Sequence, residues 1–471
     1  MNSFSISHLI RLTFQNWNIY KKSYILFIYL FFFFVLIYLY NQIGDYFTAY
    51  YLLFSLVSIF FFIDNFFLSN LASRKFIGLF LFIGFWVKFN FNIIYNQSYF
   101  PEYINLLTGA VAEPISSSDY SFLKFFFISA SLFLLSASLA SRFVFNFDSI
   151  SKKFYSLTLI SIPKFIFSRN IILLSLISLF FIFIIFNYKY YFYLRGIIPL
   201  IDNIFIIGLY KIYFSFICLL FFALTLDFYI KKKAIFFIIF IMCFFISLNQ
   251  FLFLSRLAPV LIIPIFLSLL NYISSNGIKI FNNKKILYIL FLSFFLFILS
   301  WYLTGISRNF YFINTEVFYL TKQINLKGAD NLLTAFLIER WVGADGLMTI
   351  ISNKKNLGFD YFLSNSSFSF SDGNLISVYI IGPAGFFIKS GSYIILFLST
   401  FFTLSLIFNI ENLVKKLTKN LYFFQYFFGF ILAYEFIHIG AGSLISILYY
   451  ISLFSFIAFL FLLSFFLKKI R

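Results

Sequence analysis

The sequence predicts an all-α integral membrane protein with about 12 transmembrane helices, both termini on the cytoplasmic side, and a large extracytoplasmic loop between helices 9 and 10. Three observations carry this prediction. Hydrophobic residues make up 62% of the 471 and charged residues only 11%, whereas soluble domains are nearer one half and one quarter. Apolar runs of about 20 residues, the length of a helix that crosses the hydrocarbon core, recur along the chain. Lys and Arg gather in alternate loops, the bias that orients membrane proteins. Together they exclude a soluble enzyme, a disordered protein and a nucleic-acid-binding domain. The net charge of +19 has no basic domain to account for it outside the apolar runs.

The predicted spans are 24–41, 48–68, 76–95, 121–141, 171–187, 203–225, 234–253, 257–273, 286–304, 386–410, 421–439 and 445–467. The first run lacks a small-residue cleavage site and exceeds a signal-peptide core in length, so it reads as a retained anchor. With the N-terminus inside, the cytoplasmic loops and tails hold 22 basic residues against three acids, Asp148, Asp227 and Glu411. Loop 96–120 on the opposite side has Glu102, Glu113 and Asp119 and no basic residue. The other residues sum to zero charge, so the net charge is topological signal. The chain divides into 1–304 (spans one to nine), 305–385 (the large loop) and 386–471 (spans ten to twelve).

Within the spans, Asp64, Asn65, Lys88, Lys124 and Lys211 are expected to snorkel towards an interface. His8 belongs to a basic, aromatic segment expected to lie in the interface. Phe and Leu are near-equivalent in lipid, so the 82 Phe residues read as compositional bias. The large loop keeps helical periodicity in Leu332, Leu333, Phe336 and Leu337, and again in Trp341, Leu347, Met348 and Ile351. That spacing predicts two short amphipathic helices folded onto the outer membrane face. Residues 358–373, rich in Ser and Asn, read as irregular loop. Gly382-Pro383-Ala384-Gly385 reads either as a re-entrant bend lining a cavity or as a loop end.

Polar chemistry concentrates outside. Arg195 lies in the aromatic, basic loop 188–202, Arg308 follows span nine, and Arg340 sits in the long loop, with Arg256 in a short hairpin. A guanidinium stays charged and binds phosphate through a planar fork, so these four would clamp a pyrophosphate; as plain anchors they would contact headgroups. Glu339 and Asp345 flank Arg340-Trp341-Val342-Gly343-Ala344 and suit a general base that accepts a proton from a sugar hydroxyl, or else ion pairing. Trp341 and the tyrosines of 188–193 suit an aromatic belt or sugar stacking. Glu435 and His438 are three apart, on one face of span eleven, as a proton relay or a satisfied polar pair. Cys218 and Cys243 both lie in apolar segments, and His8 and His438 are far apart, so neither a disulfide framework nor a metal site is expected. The sequence has no Gly-rich phosphate loop and no Ser/His/Asp pattern, and no cofactor is expected.

The layout of twelve spans, a small basic loop after span five and a large outward loop between spans nine and ten resembles the O-antigen and oligosaccharide-repeat-unit polymerases of the Wzy type. The stretch Glu339-Arg340-Trp341-Val342-Gly343-Ala344-Asp345-Gly346-Leu347-Met348 is similar to Arg-and-Gly stretches in the large loop of that family. The Arg repeats followed by Gly eleven positions later, found in some members, are absent: Ile206 and Ile351 stand there. The resemblance implies a substrate, undecaprenyl-diphosphate-linked oligosaccharide, used on the outer face of the cytoplasmic membrane. It also implies that a hydroxyl of one unit attacks the anomeric carbon of the growing chain, that arginines stabilise the departing diphosphate without a metal, and that a chain-length regulator and a flippase are partners. No nucleic acid is expected. The related O-antigen ligases rely on a His in the large loop, and 305–385 contains none. Two other classes stay open. One is a flippase or exporter of lipid-linked glycans. The other is a polyprenyl-phosphate-sugar-dependent glycosyltransferase, for which Asp45 would be the acid of the first outer loop.

Overall fold

The computed structural model describes residues 26–42, 48–95, 104–105, 110–111, 120–144, 185, 295, 341, 343–352, 357–358, 368–372, 375–379, 382–417 and 422–438. The described chain is predominantly helical. Six predicted spans, 24–41, 48–68, 76–95, 121–141, 386–410 and 421–439, fall on it. The other six lie outside it apart from Ile185 and Phe295, as does the expected helix around Leu332–Leu337.

Helix α1 runs Leu26–Gln42. Helix α2 runs Ala49–Phe62 and ends in a π turn, Ile63–Phe67; Thr48 caps its start by accepting from the Tyr51 amide at 3.3 Å. Helix α3, Ala72–Phe82, passes through a second π turn, Ile83–Val87, into α4, Lys88–Tyr95. Helix α5 is Tyr120–Ala140, α6 is Ala344–Ser352 and α7 is Gly382–Ile388. Helices α8, Tyr393–Leu417, and α9, Tyr422–Ile437, follow. Ala49–Phe67, Ser121–Ala140 and Tyr393–Lys415 are long and apolar enough to cross a membrane. Apolar side chains remain on the outside, such as Phe27 at 67% and Phe402 at 64% exposure, as expected where lipid rather than water is the solvent.

Sequence and structure part company at four places. Predicted span ten is two helices. Gly391, at φ 74°, breaks the chain between α7 and α8 in a backbone region that side chains other than Gly rarely adopt. Helix α8 then continues to Leu417, so Glu411 and Lys415 sit on it rather than in a loop. The predicted irregular loop 358–373 contains part of a ribbon: β3, Phe368–Asp372, pairs antiparallel with β4, Leu375–Tyr379. Phe368-Ser369-Phe370-Ser371 alternates with the period of a strand, and only Gly373-Asn374 separates the partners, a dipeptide suited to a tight hairpin. A smaller ribbon pairs β1, Ile104–Asn105, with β2, Ala110–Val111.

The phenylalanines are not interchangeable filler. Tyr51, Phe54, Phe89, Phe126 and Phe127 interlock where α2, α4 and α5 meet, with ring centroids 5.1–6.1 Å apart. Rings at such distances gain from edge-to-face and offset geometry that Leu does not supply. Phe76 meets Phe430 edge-on at 5.0 Å and couples α3 to α9. Between α5 and α8 the Ser136 hydroxyl donates to the Phe397 carbonyl at 2.6 Å, the small-polar contact that membrane helices use to approach closely.

The fourth difference concerns the large loop. Helix α6 exists where periodicity placed it, but it does not lie on the outer face. Ala344, Leu347, Met348, Ile350 and Ile351 are all buried, and the helix packs against α5 and α7. Its buried residues cover more than one face, which a surface helix has no means to satisfy. Helix α7 is buried likewise apart from half-buried Phe386, so Gly382-Pro383-Ala384-Gly385 opens a short helix inside the bundle, which is neither of the two readings. The chain reaches α6 across a tight crossing: a Cβ on Gly343 would stand 2.6 Å from the carbonyl carbon and oxygen of Gly84. Backbone cannot yield as a flexible side chain does. Gly343→Ala is therefore expected to destabilise the protein by about 1–3 kcal/mol, the range for overpacking a filled site. Thermal unfolding of the purified protein in detergent measures this, and an unchanged midpoint would refute the crossing.

Candidate functional site

One end of the bundle is built around the segment that leads into α6. Lys88, the first residue of α4, is 3% exposed, and its Nζ donates to the Trp341 carbonyl at 3.2 Å. This replaces the expected snorkelling. A buried ammonium must find acceptors inside the protein, and a loop carbonyl at the crossing supplies one. The Trp341 ring is half-buried, 4.8 Å from the Phe80 ring, so α3 takes up part of the surface expected in an aromatic belt. Asp345 is the second residue of α6. Arg340 and Glu339 precede Trp341 directly, and they lie outside the described residues, as do Arg195, Arg256 and Arg308.

Lys124 is exposed, as snorkelling requires, and its ammonium lies over the Tyr50 ring at 5.0 Å from the centroid. The Tyr51 hydroxyl donates to Asn90 Oδ1 at 2.6 Å, and Asn90 Nδ2 donates to the Trp86 carbonyl at 2.8 Å. Lys389, between α7 and α8, is 4% exposed. The structure does not join Glu435 to His438. His438 Nδ1 donates to the Tyr434 carbonyl at 2.8 Å, and its ring stacks on the Tyr434 ring at 3.9 Å. Glu435 is 7% exposed and has no hydrogen-bond partner among the described residues. Sharing a face at three-residue spacing thus left the two side chains with separate environments. Among the described residues no group of three His, Cys, Asp or Glu side chains is arranged to hold a metal.

The other end carries a polar network that sequence reasoning missed. Glu411, expected among basic loop residues, is 3% exposed. Its carboxylate accepts from the Ala72 amide at 2.6 Å, the Ser73 amide at 3.0 Å and the Ser73 hydroxyl. Helix α3 starts at Leu71 without a capping side chain of its own, so Glu411 caps it from α8. The first amides of a helix are orphan donors with a partial positive charge, and a carboxylate answers both needs. Gly429 of α9 crosses at this point: a Cβ there would stand 2.6 Å from Glu411 Oε1 and 2.8 Å from Ala72 Cβ.

Beside it, Arg74 pairs with Asp64 at 3.4 Å and donates from Nε to Asn65 Oδ1 at 3.1 Å. Asn65 is 1% exposed and Asp64 also accepts from Ser141, so neither snorkels. The π turn brings both towards the start of α3, where Arg74 satisfies them. Burial lowers the Arg74 pKa, with Asp64 and Glu411 opposing, and the group stays protonated at any ordinary pH. Lys415 Nζ donates to the Asn70 carbonyl at 3.0 Å, and Gln425 Nε2 to the Lys415 carbonyl at 3.3 Å. The loops predicted to share the inner side, 69–75, 142–170 and 411–420, thus have their described parts at one end of the bundle. The only signal for Glu411 in the sequence was a lone acid among lysines, which says nothing of a partner 339 residues away.

Compared with known proteins, the chain matches no family model, no curated protein and no solved structure.

Glu411→Gln keeps the shape but turns a two-oxygen acceptor into a group with one acceptor and an NH2, leaving amide donors unanswered. It is expected to destabilise the protein by about 1–3 kcal/mol, the cost of leaving a buried donor unsatisfied. Glu411→Asp, one methylene shorter, should cost nearly as much. Unfolding midpoints for the two variants within a degree of wild type would rule out the cap.

Proposed function

We propose that the chain polymerises lipid-linked oligosaccharide repeat units on the outer face of the cytoplasmic membrane, in the assembly of a surface polysaccharide. The observation that carries this reading is the Lys88–Trp341 bond. This bond holds the backbone at Trp341, the residue that follows Arg340 in the sequence, against helix α4. A loop seated inside the bundle suits chemistry at the membrane surface, because catalytic groups need a rigid platform. The likeness of 339–348 to the large-loop stretches of Wzy-type polymerases supports the same reading.

In that reaction a hydroxyl of the incoming unit attacks the anomeric carbon at the reducing end of the growing chain. The carbon–oxygen bond to the diphosphate breaks, and undecaprenyl diphosphate leaves with the electron pair. The hydroxyl proton passes to Glu339 or Asp345 acting as base. Arg340, with Arg195, Arg308 and Arg256, neutralises the negative charge that develops on the leaving diphosphate, the largest electrostatic demand of the step. Trp341 offers its remaining ring surface to sugar, and Glu435 and His438 contribute to the substrate pocket.

A second reading is a flippase for the same glycans. The buried Lys88, Lys389 and Glu435 favour it, because charges within a membrane protein commonly line a transport path. Deletion separates the two: a polymerase defect leaves single units on the outer leaflet, a flippase defect leaves them on the inner leaflet. For the lead reading, Arg340→Ala at wild-type protein level should leave surface glycans at one repeat unit on a gel. Removing one transition-state donor costs about 100-fold or more in rate. Normal long chains in this variant would dismiss Arg340 from the reaction.

A further inference from the structure

At the inner end of the bundle, an open cleft of about 520 Å³ lies between the α2–α3 turn, the end of α5, the end of α8 and the first turn of α9. Ser69, Asn70, Arg74, Ser141, Asn412, Lys415 and Gln425 supply its polar lining, and no carboxylate is part of it among the described residues. The nearby acids face elsewhere: Glu411 answers the α3 amides, and Asp64 answers Arg74 and Ser141. Arg74 and Lys415 line the cleft, with Asp64 paired to Arg74 and Glu411 attracting both cations from outside its described lining.

Their donors are only partly used. Arg74 bonds through Nε and Nη2, which fixes the plane of its guanidinium, and Nη1 has no partner among the described residues. The Lys415 ammonium has three donors, and one goes to Asn70. Lys75 stands close enough to Lys415 that repulsion adds to burial in lowering its pKa. A bound anion would relieve that repulsion. A fixed guanidinium plane beside an ammonium suits tetrahedral phosphate oxygens, and Asn, Ser and Gln side chains complete the donors.

We propose that this cleft binds a phosphate-bearing anion, with Arg74 and Lys415 as its charged donors. The ligand is either the phosphodiester headgroup of an anionic lipid or free phosphate. Basic pockets between helices at the inner side face a leaflet rich in such headgroups. The inference does not depend on the glycan chemistry proposed above.

The test uses the purified full chain and follows its thermal midpoint against added phosphatidylglycerol, phosphatidylcholine or inorganic phosphate. Phosphatidylglycerol is expected to raise the midpoint in a saturable way, and phosphatidylcholine to leave it nearly unchanged. Lys415→Gln should raise the half-saturating concentration at least about tenfold, roughly the worth of one charged donor. Asn412→Asp puts a negative charge in the cleft without touching the Glu411 cap and should do the same. A response to phosphatidylglycerol alone identifies the headgroup; an equal response to inorganic phosphate identifies the free ion. The proposal fails if neither phosphate source shifts the midpoint, or if both variants respond as wild type does.

Discussion

The carboxylate of Glu411 at the start of α3 is the contact on which that half of the bundle depends. It joins residues more than 300 positions apart, and it does so at a place with little room for substitutes. Ala72 and Gly429 pack against it, and Arg74, Asp64 and Asn65 form the next layer. Away from water, a helix terminus leaves amides that nothing else can answer, so a span that begins without its own cap must be capped by a neighbour. The result is a fixed relation between α3, α8 and α9. The aromatic contacts of Phe76 and Phe80 with Phe430 then build upon that relation.

At the end where α4 begins a different logic operates. Of the large loop, the described helix α6 is a component of the helix bundle. Buried α6 and α7 pack together, and Lys88 and Gly84 set where the chain crosses to reach them. Short helices at membrane depth are tolerated only when protein encloses them, and here α5 does much of that work.

How much of this was legible in the sequence depends on the range of the interaction. Apolar length and charge bias located the described helices to within a few residues at most ends, because hydropathy is a local property. The α6 periodicity was visible as well. Its placement was not, since Leu347, Met348 and Ile351 look alike whether they face lipid or protein. The same ambiguity explains Lys88 and Asn65: snorkelling is the expectation for a polar group with no known partner, and Trp341 and Arg74, which they bond, lie in other elements. The break at Gly391 was missed although Lys389-Ser390-Gly391-Ser392 interrupts the apolar run, because four such residues can also be carried within a span and a Gly shows no sign of its φ. The β3–β4 ribbon was missed for the opposite reason, its alternation being overshadowed by Ser and Asn content. The arginines and Glu339 were singled out by charge and side alone, which names residues without arranging them.

The π turn at Ile83–Val87 has a consequence for how this protein can vary. A π turn holds one more residue than an α turn, and one residue advances a helix by about 100°. The stretch from Ala72 to Tyr95 therefore changes phase midway. Before the turn, Phe76 and Phe80 face α9; after it, Phe89 and Asn90 face α2 and α5 and Lys88 reaches Trp341. An unbroken α-helix of the same length would serve one set of partners or the other. Loss of a single residue within the turn would swing every later side chain off its contacts, although composition and hydropathy would hardly change. Over this stretch the number of residues is thus constrained more tightly than their identity, and homologous chains should exchange apolar side chains here far more readily than they gain or lose one.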